Sequence, residues 1–226
     1  MSAARRVEEL DEESRGLLRQ IVERQAWRAI VLADIRGHGQ KFLPGVDERL
    51  ACAHDLAYHL ETLGAMEELH QRLGGEDLYL TVRGRLADIP HPTSRLELGL
   101  CLLLCELAEC VAAEGYRESS CVEIVQLAER YLAAQWQGSA GEREFLEEFC
   151  AEAGNRPRAQ EVFDNWFAIA GKSFGRPGSA GDERAVALGL RRNSAGDTAA
   201  EFRARAAILA ASCALDIPPV PAAAPK

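Results

Sequence analysis

The stretch Arg95 to Ala113, RLELGLCLLLCELAECVAA, decides the fold class. Only Arg95, Glu97, Glu106 and Glu109 carry charge in it, and apolar side chains occupy every other direction of a helical wheel. A helix that is apolar all round is buried on all sides. Its three carboxylates and short apolar run argue against a membrane span. It therefore reads as the central helix of a bundle. Glu97 and Glu106 lie about half a turn apart on the wheel, so at least one carboxylate faces inward.

Composition agrees with a helical reading. The 226 residues are 47% hydrophobic and only 6% aromatic, and alanine and leucine dominate, which favours helix over sheet. A formal net charge of −9 excludes the basic footprint of a nucleic-acid binder. The start, MSAARRVEELDEESR, is charged and lacks the apolar core of a signal peptide. Seven cysteines, without a CxxC pair, read as reduced core thiols of a cytoplasmic protein.

Working outward, Met1–Glu13 reads as a flexible polar tail, residues 14–217 as one helical domain, and 218–226 as a disordered Pro/Ala tail. Main helices are expected at about 14–37, 46–73, 94–114 and 119–137. On the second, Ala53, Leu56, Leu60 and Leu63 recur at helical spacing. Ser94-x-x-Glu97, Ser120-x-x-Glu123 and Ser139-x-x-Glu142 each have the capping-box pattern. Asn155 with Pro157 opens a helix through Trp166, and two more helices follow at about 182–193 and 198–214. The connector after Gly74-Gly75 has room for a short turn of its own. The expectation is an all-α antiparallel four-helix bundle with additional C-terminal helices.

The stretches LLRQIVERQAWRAIV near the start and, near the end, Asn165-Trp166, Phe174-Gly175 with Pro177, and Leu215-Asp216-Ile217-Pro218 resemble the phenylacetyl-CoA epoxidase subunit family. That family is ferritin-like. Its catalytic members hold two irons with a carboxylate from each of two helices and Glu-x-x-His from each of the others, and they oxidise an acyl-CoA with O₂. The resemblance places the first-helix ligand on Arg28. It puts the second-helix pair on His59 and Thr62 or on Glu61 and Gly64, the third-helix acid on Glu106, and the fourth-helix pair on Tyr131 and Ala134. All five histidines lie in the first 91 residues, so a symmetric di-iron centre is not expected. The resemblance implies a non-catalytic structural or assembly subunit without a cofactor. Such a subunit forms a homodimer, or a hetero-oligomer with a related ferritin-like chain. It also implies a buried Arg28–Glu106 pair, with Tyr131, in place of metal. The alternative for Arg28 is to run out to solvent.

Two other readings remain open. An atypical iron site would draw on Glu61, Glu67, His70 and Glu106, making a non-heme monooxygenase acting on an acyl-CoA or small aromatic substrate. Glu67-Glu68-Leu69-His70 is the one Glu-x-x-His of the chain, although its place beside Gly74-Gly75 also suits a solvated helix end. Alternatively, the vacated interior would take a small apolar ligand. Trp27, Trp136 and Trp166 read as packing residues, and His54, Tyr58 and Glu61 as a polar seam.

Overall fold

A computed structural model describes residues 4–134 and 141–219. Among these residues the chain is all-helical, with one isolated bridge between Arg5 and Cys121. Nine α-helices follow one another among the described residues: α1 (Glu12–Gly39), α2 (Val46–Arg72), α3 (Leu78–Val82), α4 (Arg95–Tyr116), α5 (Val122–Ala133), α6 (Glu142–Ala151), α7 (Arg156–Gly171), α8 (Ala180–Ala187) and α9 (Ala195–Ser212). The expected hub is α4, which packs against α1, α5, α6, α7 and α9. Leu98, Leu100, Cys101, Leu102 and Leu104 on it are all buried. No helix among the described residues is long and apolar enough to cross a membrane.

Side-chain caps start several helices. Asp11 accepts from Ser14 N–H, Ser94 from Glu97 N–H, Ser179 from Asp182 N–H and Ser194 from Asp197 N–H. Each satisfies a donor that the first turn leaves unpaired. Ser120-x-x-Glu123 does not close a box: Ser120 Oγ donates to the Leu188 carbonyl, while Glu123 accepts from Val7 N–H and pairs with Arg72. Tertiary partners outbid the local cap. Ser139, Trp136 and Gly138 lie outside the described residues. The eighth helix is shorter than the pattern predicts because Gly189, at φ +68°, lets Leu190 N–H bond back to the Ala185 carbonyl, a left-handed helix ending.

Residues at both ends of the described chain pack onto the helices. Arg5 N–H donates to the Ser120 carbonyl at 2.8 Å, Val122 N–H donates to the Arg5 carbonyl at 2.9 Å, and Val7 and Leu10 enter the core. Residues 5–10 are thus tied to the α5 start. At the other end Leu215 is buried and Arg203 donates to the Pro218 carbonyl. Residues 220–226 of the expected tail lie outside the described residues.

The second helix turns a different face inward from the one its leucines predict. Cys52, Asp55, His59, Thr62, Met66 and Leu69 are buried, whereas Ala53 and Leu60 are exposed and Leu56 and Leu63 half-buried. Polar groups occupy the inner face because partners wait for them there.

Candidate functional site

The inward faces of α1, α2, α4 and α5 meet in a polar layer. Asp55, His59, Thr62 and Met66 stand at i, i+4, i+7 and i+11 on α2 and so share one face. The first helix contributes Gln25, Arg28 and Arg36, the fourth Glu106 and Glu109, and the fifth Tyr131. Two ion pairs organise this layer. Arg28 Nε donates to Glu109, and Arg28 Nη1 donates to the Ser173 carbonyl at 3.1 Å. Arg36 Nη2 donates to Glu106, and its Nη1 stands 3.3 Å from Asp55 Oδ2. Arg36 is fully buried and Arg28 is 4% exposed. Tyr131 Oη donates to the Glu106 backbone carbonyl at 3.4 Å.

Burial taxes every charge in this layer, and the pairing decides which survive. For Arg28, burial is the largest influence and would lower the pKa, but the Glu109 carboxylate and Tyr116 together outweigh it and hold the guanidinium charged. Arg36 is likewise buried and held charged by Glu106 and Asp55. For His59 the balance goes the other way. Burial, with Arg36 adding its repulsion, drops its pKa to about 3, so the imidazole is neutral at physiological pH. Tyr131 is pushed well above its ordinary range by burial and by the charges of Glu109 and Glu106, and it acts only as a neutral hydroxyl.

A small interior cavity of about 10 Å³ lies in this layer, bordered by Gln25, His59, Thr62, Glu109 and Tyr131. That is space for about one water molecule. Gln25 Oε1 has no hydrogen-bond partner among the described residues, and a water in the cavity would donate to it. The cavity is too small for an organic ligand, so the expectation of an apolar molecule in the bundle interior is corrected: the ion pairs fill the room.

The pairing itself differs from the expected one. Arg28 is buried and does not run out to solvent, but its carboxylate is Glu109, not Glu106. Glu106 pairs with Arg36, and Tyr131 Oη donates to the Glu106 backbone carbonyl. Glu106 and Glu109 lie i, i+3 on one face; a helical wheel fixes angle and leaves height along the axis undetermined. Arg36, Asp55 and Gln25 went unremarked in the sequence, where no spacing singles them out from surface charges. Of the two second-helix registers, His59 and Thr62 face inward, while Glu61 and Gly64 are exposed.

The four candidate iron ligands are not brought together. Glu61 pairs with Arg130 at 3.1 Å on the surface. Glu67 accepts from Leu78 N–H at 2.9 Å, steadying the start of α3. His70 sets Nδ1 3.2 Å from the Glu76 carbonyl and Nε2 3.5 Å from Glu23. Glu106 faces Arg36. Among the described residues no cluster of three His, Cys, Asp or Glu side chains is arranged to hold a metal ion. The inward carboxylates Glu106, Glu109 and Asp55 face guanidinium groups. His54 and Glu61 are exposed, and Tyr58 lies under the Arg130 guanidinium at 5.4 Å, a polar seam along α2.

Comparison with models of known protein families finds no match, and comparison with curated proteins finds none.

Proposed function

We propose that this chain is a non-catalytic helical subunit of ferritin-like architecture that works as a scaffold or assembly partner. The observation that carries the reading is the occupation of its interior by Arg28–Glu109 and Arg36–Glu106–Asp55. In a ferritin-like bundle, inward carboxylates are the groups that bind metal; here guanidinium groups neutralise them.

A scaffold needs an adhesive face, and α2 offers one. Val46, Leu50, Ala53, Ala57, Leu60 and Gly64 alternate at spacings of four and three, the repeat of a coiled-coil seam. Val46 is 73% exposed, Leu50 63% and Leu60 55%. In an antiparallel pairing centred on Asp55, Leu50 meets Leu60 of a second copy, Ala53 meets Ala57 and Val46 meets Gly64. The stripe is thus self-complementary, as a two-fold interface requires, and its small central residues let two helices approach closely. The favoured partner is therefore a second copy, ahead of a related subunit.

Light scattering during size exclusion tests the association. The expected mass is twice the 24.7 kDa of one chain, with a helical monomer when Leu50→Asp and Leu60→Asp are combined. Metal analysis after expression with added iron tests the non-catalytic reading. Stoichiometric iron that survives dialysis against a chelator would overturn it.

A further inference from the structure

We propose that the cleft between α1, the connector before α4 and the end of α7 binds a small organic anion with a flat apolar body. The cleft encloses about 300 Å³, the lower end of the range for small-molecule sites. It lies apart from the ion-paired interior and does not depend on the scaffold reading.

Its charge points to an anion. Arg24, Arg85 and Lys172 line it, against Asp88 alone. Arg85 shares its charge with Glu23 at 3.6 Å. Arg24 and Lys172 have no carboxylate partner within 4.0 Å among the described residues. A guanidinium fork beside an ammonium suits an oxyanion.

A buried hydroxyl adds a second signal. Ser173 also lines the cleft; it is 6% exposed, and its Oγ has no hydrogen-bond partner among the described residues. A buried hydroxyl without a hydrogen bond is costly; the Oγ is closed to solvent here, and a change of rotamer would turn it toward a ligand oxygen. Ser173 is held in place through its carbonyl, which accepts from Arg28. Gly175 makes room for Arg24: its φ is +89°, and a Cβ there would stand 2.8 Å from Arg24 Nη1. The apolar wall is Trp27, Ile89 and Ile169. The Trp27 indole is oriented by its N–H, which donates to the Arg85 carbonyl at 3.1 Å, so a flat ring can stack on a fixed face.

Isothermal titration of the full chain with four probes tests the site: 2-naphthoate, 2-naphthyl phosphate, neutral 2-naphthol and inorganic phosphate. At least one naphthyl anion is expected to bind at one site per chain, and the stronger of the two tells carboxylate from phosphate. Naphthol and inorganic phosphate are expected to bind at least about tenfold more weakly. Arg24→Gln combined with Lys172→Gln should weaken binding by about tenfold or more with an unchanged melting temperature, and Ser173→Ala by about threefold. The proposal is overturned if neither naphthyl anion binds by about 1 mM, if naphthol binds as well as the anions, or if the double variant binds like the parent chain. Inorganic phosphate binding as tightly as naphthyl phosphate would overturn the apolar half of the site.

Discussion

Arg28 and Glu109, 81 residues apart in sequence, form a buried ion pair that joins α1 to α4. One turn away on α4, Glu106 makes the matching contact with Arg36. Removing one partner of such a pair strands a charge in a poorly solvated place, whereas removing both does not. Arg28→Met should therefore destabilise the fold by about 3–5 kcal/mol. Combining it with Glu109→Gln should recover most of that loss. Chemical denaturation of the two single variants and the double variant forms the cycle. A loss below about 1 kcal/mol for Arg28→Met would sink the buried-pair assignment.

The neutral His59 gives stability a defined pH dependence. Its folded pKa is about 3, below the roughly 6.5 of an unfolded histidine. Between those values the unfolded chain binds a proton that the folded chain refuses, so stability falls as pH drops through that window. The slope is about 1.4 kcal/mol per pH unit. From pH 6.5 to 5 the parent chain should lose about 2 kcal/mol more than His59→Gln. Parallel denaturation curves for parent and variant over that range would contradict a buried neutral imidazole.

The reach of the sequence is clearest at α4. An all-round apolar helix needs no alignment to be placed at the centre, and Ser94 signals a helix start because capping chemistry is local. Ser120 and Glu123 mislead for the opposite reason: their groups go to Leu188, Val7 and Arg72, which no local pattern reveals. The inner face of α2 was hidden because hydrophobicity points to Leu60, while Asp55 and His59 are buried. The burial of Asp55 rests on Arg36, contributed by another helix, and that of His59 on the imidazole staying neutral. The same reversal leaves Leu50 and Leu60 outside, which makes that face a candidate for assembly. Arg28 could be singled out, but its height along α4 could not.

The thiols offer a test of core packing. All seven cysteines are unpaired; six are buried and Cys110 is half-buried. Burial pushes Cys105 up to about 12 and Cys121 and Cys150 up to about 11. Cys110 also rises to about 11, through burial and the Glu114 carboxylate. The thiolate is the reactive form, so at pH 7.5 a disulfide reagent should modify the native chain slowly, Cys110 first. In urea all seven of the sequence should react at once. Rapid modification of two or more thiols without urea would mean that the α4 core is open.

The turn after α2 makes the last prediction, because two adjacent glycines there are needed for different reasons. Gly74 has φ +82° with nothing near its missing side chain, so Gly74→Ala meets only backbone strain, about 1–2 kcal/mol. Gly75 has an ordinary φ, yet a Cβ on it would stand 2.2 Å from His70 Cε1. That ring cannot retreat: it is 1% exposed, and its Nδ1 is engaged with the Glu76 carbonyl. Gly75→Ala should therefore cost about 1–3 kcal/mol by overpacking. Adding His70→Ala should relieve the clash, so that the double variant loses less than the two single losses summed. Urea denaturation of the three variants reads this coupling. Strict additivity would mean that the His70 ring does not lie against the Gly75 backbone.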